Sequence, residues 1–320
     1  MKIMKFYQSI FQNNNLKIIK YLSLIVLIFV LSFKANTEIP EKYKIESSLP
    51  KCKGADYTKW NDCYGQFKFP RIEYKGEWKD GKFDGKGILK EAWGAIYIGD
   101  FKNNLAEGYG RQEEPDGSWW EGEIKNDKLH GKAILYEAAD KCKSEGNWLE
   151  FQLNGQGTVK CEDGFISEGN YKNGLLNGQG FLKYSNGTEY SGEFVDGELN
   201  GKGEIKWNSG NIERGIFVDG LLEGEGFWSS KEGDKYYGQF KKGKFQGKGK
   251  YIYINGSIFE GDFNEDYKIY GTFNYANGDK YIGQFKNHKL HGNGKYTYSN
   301  RNKYEGEWKD GYENGKGIFT

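Results

Sequence analysis

Apolar and polar residues alternate one by one through most of the chain beyond residue 60. In the stretch 190–194, YSGEF, the tyrosine, glycine and phenylalanine fall on one side of an extended backbone, and the serine and glutamate fall on the other. The stretch 201–207, GKGEIKW, alternates in the same way. This period of two predicts two half-buried β-strands, joined here by the Gly- and Asp-containing loop VDGELN at 195–200.

Turn signals separate one such pair of strands from the next. The segments SNG at 185–187 and ANG at 276–278 carry the Asn-Gly dipeptide that is typical of tight hairpin turns. We therefore expect each unit to be a β-hairpin, and the succession of units to form an all-β antiparallel meander.

The unit recurs with a period of 23 residues, which is changed once to 24 and once to 22. Each unit has an anchor glycine, and ten of the eleven anchors are followed two residues later by an aromatic residue. The anchors are Gly76, Gly99, Gly122, Gly146, Gly169, Gly192, Gly215, Gly238, Gly261, Gly283 and Gly306. A Gly-x-Gly follows in nine units; Ala133 replaces its second glycine in one, and another keeps only Gly271. Self-similarity at a fixed period indicates a repeat architecture.

Two cysteines suggest how the strands of a hairpin face each other. If Cys142 and Cys161 are partners across a hairpin, the pairing of every other residue in that hairpin follows. The same rule can be moved to the repeat of Gly283. The predicted facing pairs are Gly146–Gly157, Trp148–Gly155, Tyr281–Tyr296, Gly283–Gly294 and Phe285–Gly292. In this register a large ring covers a neighbour that has no side chain, which repairs a glycine in a strand.

Composition excludes several classes of protein. The 320 residues include 46 Lys and Arg against 45 Asp and Glu, so the chain lacks the basic field of nucleic-acid-binding proteins. Aromatic residues make up 17% of the chain, which argues against disorder.

The N-terminus predicts export. The uncharged run LSLIVLIFVLSF at 22–33 follows Lys2, Lys5, Lys17 and Lys20. A positive flank before a short apolar run is typical of a signal peptide, or of a signal anchor where it is not cleaved. We assign 1–36 to this helical segment and expect the repeats to lie outside the cytoplasm, periplasmic or anchored by the N-terminus to the inner membrane.

The four cysteines, Cys52, Cys63, Cys142 and Cys161, agree with export. An even number of cysteines in an exported chain predicts disulfides, with three possible connectivities. Zinc is less favoured because the spacing is not the pairwise C-x2-C of zinc ribbons. We divide the rest of the chain into a linker and disulfide-stapled cap at 37–63 and the repeat array at 64–320.

Candidates for chemistry are few. The histidines His130, His288 and His291 lie in predicted loops, where other repeats carry different polar residues. Carboxylates recur one residue after the anchor and point to the polar side. They are Glu77, Asp100, Glu193, Asp262 and Glu307. We predict no catalytic, cofactor or metal site, no cofactor, no small-molecule substrate and no nucleic-acid partner.

A stripe of aromatic residues follows the anchors and is the candidate binding face. Its members are Trp78, Phe101, Trp148, Phe194, Phe240, Phe285 and Trp308. Packing is the simpler role, because rings that cover glycines and each other hold a one-layer sheet together. A binding platform for a protein, a lipid surface or a glycan is the alternative.

The pattern Tyr-x-Gly-x-Phe, a glycine loop and Gly-x-Gly at this period resembles the MORN repeat (membrane occupation and recognition nexus) over 64–320. The stretch 49–67 is similar to the two-cysteine segment that precedes MORN arrays in small exported bacterial proteins. The resemblance implies an elongated, twisted sheet of hairpins, and roles in scaffolding, self-association and membrane association.

These observations together predict a non-catalytic scaffold of the cell envelope that binds protein partners or itself. An uncovered last strand would favour self-association. A peripheral membrane or lipid-binding module is the alternative, although a net charge of +1 does not favour anionic lipid.

Overall fold

The structure is a computed structural model that describes residues 44–320, which lie in the unit Thr37–Thr320. These residues form one open antiparallel sheet of 23 strands, in which every strand pairs with the next along the chain. A single 3-10 turn at Tyr57–Lys59 precedes it. Within 44–320 there is no α-helix, and therefore no helix that could cross a membrane. The all-β meander is confirmed, whereas the predicted signal or anchor helix at 1–36 falls outside the described residues.

The strands are numbered in chain order. They are β1 Cys63–Lys68, β2 Ile72–Lys79, β3 Lys82–Glu91, β4 Ile96–Lys102, β5 Leu105–Glu113, β6 Trp119–Lys125, β7 Lys128–Glu137, β8 Cys142–Leu149, β9 Gln152–Cys161, β10 Ile166–Lys172, β11 Leu175–Lys183, β12 Glu189–Val195, β13 Glu198–Lys206, β14 Ile212–Val218, β15 Leu221–Ser229, β16 Lys235–Lys241, β17 Lys244–Ile252, β18 Ile258–Asn264, β19 Tyr267–Asn274, β20 Lys280–Lys286, β21 Lys289–Thr297, β22 Lys303–Lys309 and β23 Tyr312–Phe319.

The tight turns lie where the sequence predicted the longer loops. Strands β2 and β3 are joined by Asp80 and Gly81, whose φ angles are 49° and 70°, as a two-residue type I′ turn requires. At the Asn-Gly segment, five residues separate β11 from β12, and the Tyr184 carbonyl accepts from Gly187 N at 2.8 Å. Tyr184 N also donates to the Thr188 carbonyl at 2.9 Å, so Asn-Gly does lie in a hairpin loop, but the loop has three residues and only Gly187 of the pair has a positive φ.

The predicted register is correct up to the anchor glycine and wrong after it. Gly146 faces Gly157, Gly283 faces Gly294 and Tyr281 faces Tyr296, as expected. However, Trp148 faces Leu153 instead of Gly155, and Phe285 faces Leu290 instead of Gly292. A β-bulge after each anchor shifts the pairing by two positions in these hairpins.

The predicted contact between a ring and a bare backbone is present, but it joins neighbouring hairpins. Gly292 pairs with Trp308 of the following repeat, and Gly85 pairs with Phe101. The ring that covers a glycine pair within one hairpin is instead the tyrosine two residues before the anchor. The Tyr74 ring lies against Gly87, where a Cβ would overlap it.

The hydroxyl of this tyrosine is also anchored. Tyr74 donates to the Glu77 carbonyl at 2.9 Å, across the bulge. The same hydrogen bond to the residue three positions later recurs at Tyr97, Tyr236, Tyr281 and Tyr304. Each of these five hairpins therefore has its own covering ring, its own glycine pair and its own hydroxyl hydrogen bond.

The aromatic stripe forms the core of the sheet. All seven of its side chains are buried, with exposed fractions of 1–7%. The rings pack edge to face, as Tyr74 and Trp78 do at 5.2 Å and 84°. Their indole nitrogens donate to a carbonyl of the preceding hairpin, as Trp148 does to Ala133 at 2.8 Å. These rings therefore offer little surface to a partner.

Three of the five recurring carboxylates, Glu77, Asp100 and Glu193, cap the bulges. Glu77 accepts the backbone N–H of Lys86 at 3.0 Å, and Glu193 accepts that of Lys202 at 3.3 Å. Gly85, with φ of +98°, leaves room for the approach, because a Cβ there would overlap the Glu77 carboxylate. A backbone group left outside the strand ladder thus has a side-chain partner.

Both disulfides join the expected cysteines, Cys52 with Cys63 and Cys142 with Cys161. The first bond holds the segment before β1 against the sheet, where Cys52 N donates to the Tyr64 carbonyl at 2.9 Å. Trp60 of the same segment lies edge to face on Trp78 at 4.9 Å. The first strand and its rings are therefore covered by residues outside the hairpins.

Candidate binding groove

A second row of rings runs along the last repeats, on the same face as the stripe. We call it the ring ladder: Tyr251, Tyr253, Phe273, Tyr275, Tyr296, Tyr298 and Phe319. Successive ring centroids lie 4.3–6.1 Å apart. Six of the rings are half-buried, and Phe319 is exposed. The ladder therefore presents ring surface that the stripe does not.

Strand alternation places these rings. In the repeat of Gly238 they stand 13 and 15 residues after the anchor, at Tyr251 and Tyr253. The repeat of Gly76 has Leu89 and Glu91 at the same positions. In this repeat the ladder thus arises from a change of side chain on an unchanged hairpin, whereas in the shorter repeat of Gly261 the rings Phe273 and Tyr275 stand 12 and 14 residues after the anchor.

A groove of about 890 Å³ opens beside the ladder. Its lining includes Tyr253, Phe273 and Tyr275 from the ladder, and Phe285 and Trp308 from the stripe. Of the seven predicted binding-face residues, these two alone line the groove. The groove therefore combines flat apolar walls with the edge of the core.

Lys268 lies in the wall of this groove, at a position that nine of the ten other repeats fill with an apolar residue. Seven residues after the anchor, leucine occurs in six other repeats, including Leu222 and Leu290. Lys268 is buried all the same, with an exposed fraction of 8%. Its Nζ lies 5.2 Å from the centroid of the Tyr253 ring and 5.8 Å from that of Phe273.

No acid neutralises this lysine. Among residues 44–320, Lys268 Nζ has no hydrogen bond and no ion pair; its contacts are ring faces, the third being Phe259 at 5.7 Å. Loss of solvation on burial lowers the pKa of Lys268 to about 8. A buried cation without a carboxylate is unfavourable, so this position lowers the stability of the fold.

The tyrosine hydroxyls of the ladder fall into two groups. Tyr251 donates to Asp234 at 2.9 Å, Tyr296 to Asp279 at 2.7 Å, and Tyr298 to Glu313 at 2.7 Å. The hydroxyls of Tyr253 and Tyr275, which also line the groove, make no hydrogen bond within the described part of the chain. Burial raises the pKa of both, so that they remain protonated donors.

The histidines are dispersed. His288 lines the groove and stacks on Tyr267 at 4.9 Å, and burial, followed by the Lys268 charge, lowers its pKa. His291 Nδ1 lies 3.9 Å from Asp310, and His130 in β7 faces Leu149 in β8. These two histidines therefore lie in strands, and their predicted loop position was wrong. The structure brings together no group of three metal-ligating side chains within 44–320.

Sequence reasoning missed Lys268 and the ladder. Alignment of the repeats would have shown Lys268, because it is a lysine at a position where most repeats have an apolar residue. It stands in the one repeat that departs most, where the step shortens to 22 and only Gly271 remains. There the bulge shifts the pairing by one position instead of two.

Comparison with solved structures gives only distant likeness. A point mutant of the TCP10 domain of Danio rerio CPAP is 8% identical, with 67% of this chain and 94% of that chain covered and a TM-score of 0.32. The Drosophila melanogaster SAS-4 TCP domain, solved with a proline-rich motif of Ana2, is 13% identical, with 56% and 85% covered and a TM-score of 0.26. Such scores carry no argument. No curated protein sequence matches the chain.

The model of the MORN repeat matches nine segments, fewer than the eleven anchors. They are 74–94, 97–119, 120–136, 168–189, 190–212, 214–235, 236–258, 281–303 and 304–320. The two hairpins without a match surround Gly146, which carries a disulfide, and Gly261, which carries Lys268. The matched segments, with the hairpin, bulge and ring geometry that they share, make up more than half of the chain, and the chain belongs to the MORN-repeat family.

Proposed function

We propose that this chain is a non-catalytic interaction protein whose C-terminal groove binds an extended segment of a partner protein. The observation that carries the proposal is the ring ladder beside an open groove with unengaged donors. Binding sites are concave and mostly apolar, with a small number of convergent polar groups, and this groove has that composition.

A polypeptide suits the shape of the groove. Aromatic-lined grooves dock extended segments, because ring faces accept apolar side chains while hydroxyls fix the direction of the backbone. The ladder offers ring faces from β17, β19 and β21 in sequence, with the free hydroxyls of Tyr253 and Tyr275 among them.

A role without catalysis is supported by the carboxylates. In the bulges described above, Glu77 and Glu193 each accept a backbone N–H of their own hairpin. These two carboxylates stabilise the fold. Catalysis would instead need a pair of carboxylates that converge on a substrate.

Export is part of the proposal. The lysine-flanked apolar run at 22–33 and the two disulfides support a protein of the small exported type, scaffolding in the cell envelope, because disulfides persist in oxidising compartments.

Selection of displayed random twelve-residue peptides on the full chain tests the binding function. We expect enrichment on the wild type, and its loss when Tyr253→Ala and Tyr275→Ala are combined. The matched control combines Tyr109→Ala and Tyr237→Ala, two exposed tyrosines on the opposite face.

Hydrogen exchange of the wild type with an enriched peptide gives a readout that does not depend on a variant. Protection should rise in β17, β19 and β21. Failure to enrich any peptide, equal enrichment on all three proteins, or protection away from the groove would contradict the proposal.

A further inference from the structure

Lys268 is the one feature of the groove that packing does not explain. Leucine fills its position in six other repeats, and Leu222 there is fully buried. A leucine at 268 would remove the desolvated charge and keep the apolar contacts. The lysine weakens the fold at this point, which suggests that its charge serves a ligand.

The unengaged donors of the groove are of one kind. Lys268 Nζ and the hydroxyls of Tyr253 and Tyr275 can all donate, and none has an acceptor among residues 44–320. A carboxylate has two oxygens with about four acceptor positions, so it can receive all three donors. Hydrogen bonds between ionised partners are the strong ones, above all where water is excluded.

The charges around the groove agree with an acidic ligand. Lys289 is a second cation in the lining, and His288 stands beside Lys268. The anions on this face are engaged: Asp279 accepts from Tyr296 and from Ser299 N, and Glu313 accepts from Tyr298.

We propose that Lys268 determines the specificity of the groove, because its Nζ receives the carboxylate of an aspartate or glutamate in the bound segment. The apolar residues on either side of that acidic residue lie on the ring ladder. This inference rests on the proposed function, because it names the chemistry of the segment that the groove holds. Lys268 supplies the charge, Tyr253 and Tyr275 orient the carboxylate, and the rings exclude water from it.

The test repeats the peptide selection on three full-length proteins: the wild type, Lys268→Leu and Lys280→Leu. Lys280 is exposed, and its side chain leaves the sheet on the face opposite Tyr281. The Lys280→Leu substitution therefore removes the same charge without changing the groove. Lys268→Leu should fold at least as well as the wild type, which a thermal unfolding curve checks.

We expect peptides from the wild type and from Lys280→Leu to share an acidic residue between apolar ones. Peptides from Lys268→Leu should lose the acidic residue and keep the apolar ones. For one enriched peptide, replacement of its acid by the amide should weaken binding to the wild type roughly 10- to 100-fold and leave binding to Lys268→Leu unchanged.

The outcomes separate the two proposals. Enriched peptides without an acidic residue, or an acid that is equally enriched on Lys268→Leu, overturn the carboxylate pocket and leave peptide binding in the groove intact. Enrichment on none of the three proteins overturns both proposals. Equal loss on Lys268→Leu and Lys280→Leu shows a general charge effect and also overturns the pocket.

Discussion

The two ends of the sheet use the same hairpin in different ways. At the first end, Tyr57 and Trp60 come from outside the repeats and pack on the rings, which leaves Trp78 only 1% exposed. In the last repeats, rings such as Tyr253 and Tyr298 stay half-buried beside an open groove. The antiparallel pairing is the same apart from the shorter bulge at β18–β19, so most of the difference lies in the side chains at the position of Lys268 and at the two ladder positions of each repeat. In the function proposed above, those positions distinguish a repeat that binds from one that only builds the sheet.

The anchor, its bulge and the tyrosine before it belong to the fold at both ends. We expect the largest effect where this common set is broken. Tyr281→Ala removes a fully buried ring from Gly283 and Gly294, and should reduce the free energy of unfolding by about 3–5 kcal/mol. Urea titration measures the loss. The exposed Tyr312→Ala is the control and should change the value by less than about 0.5 kcal/mol. Similar losses from the two variants would contradict the assignment of the tyrosine to the core.

Lys268→Leu gives this repeat the leucine that other repeats carry at the same position. Below pH 8 the lysine is charged in both the folded and the unfolded state, and its desolvation fully opposes folding. Lys268→Leu should therefore raise the free energy of unfolding by about 3 kcal/mol, which corresponds to the difference between a pKa of about 8 and an ordinary 10.5. Between pH 8 and 10.5 the folded wild type releases a proton that the unfolded chain keeps, so wild-type stability rises and the gain shrinks. Urea titrations from pH 7 to 10.5 measure this. A gain that does not vary with pH would exclude the charge as its cause.

The first disulfide should matter to one end only. Replacing Cys52 and Cys63 together by serine removes a cross-link over 11 residues, which should lower the free energy of unfolding by about 2–3 kcal/mol. Hydrogen exchange should quicken in β1–β3 and stay unchanged in β17–β23. Faster exchange at both ends would show that the cap supports the whole sheet, against the comparison drawn here.

The smallest effect is expected at a bulge cap. Glu193→Ala leaves the Lys202 N–H without its acceptor and should lower the free energy of unfolding by about 1 kcal/mol. Lys202→Ala keeps the backbone donor and is the matched control, with little change expected. Thermal unfolding of both variants separates a role in the fold from a merely solvated charge.

Much of the fold follows from alternation and period. The facing glycines, such as Gly283 and Gly294, were placed correctly because the register given by Cys142 and Cys161 holds in both hairpins up to the anchor glycine. The partner of Phe285 was missed because a bulge is a local insertion that binary patterning does not reveal. Both disulfides were assigned to the cysteines that the structure joins.

The groove was harder to predict. The spacing of Tyr251 and Tyr253 predicts a common face, but their partial exposure depends on the neighbouring strands. The burial of Lys268 follows from its column in the repeats, whereas its lack of an acidic neighbour is a property of the assembled sheet.

The bulge in every hairpin has a consequence for how such an array can evolve. In an ordinary hairpin, loss of one residue would turn all following side chains over, exchanging inner for outer. At β18–β19 the bulge is one residue shorter, yet Gly261 still meets Gly271 and the next strand keeps its orientation. A residue can thus be lost at the bulge without reversing which side chains point to each face of the sheet in the strands before and after it.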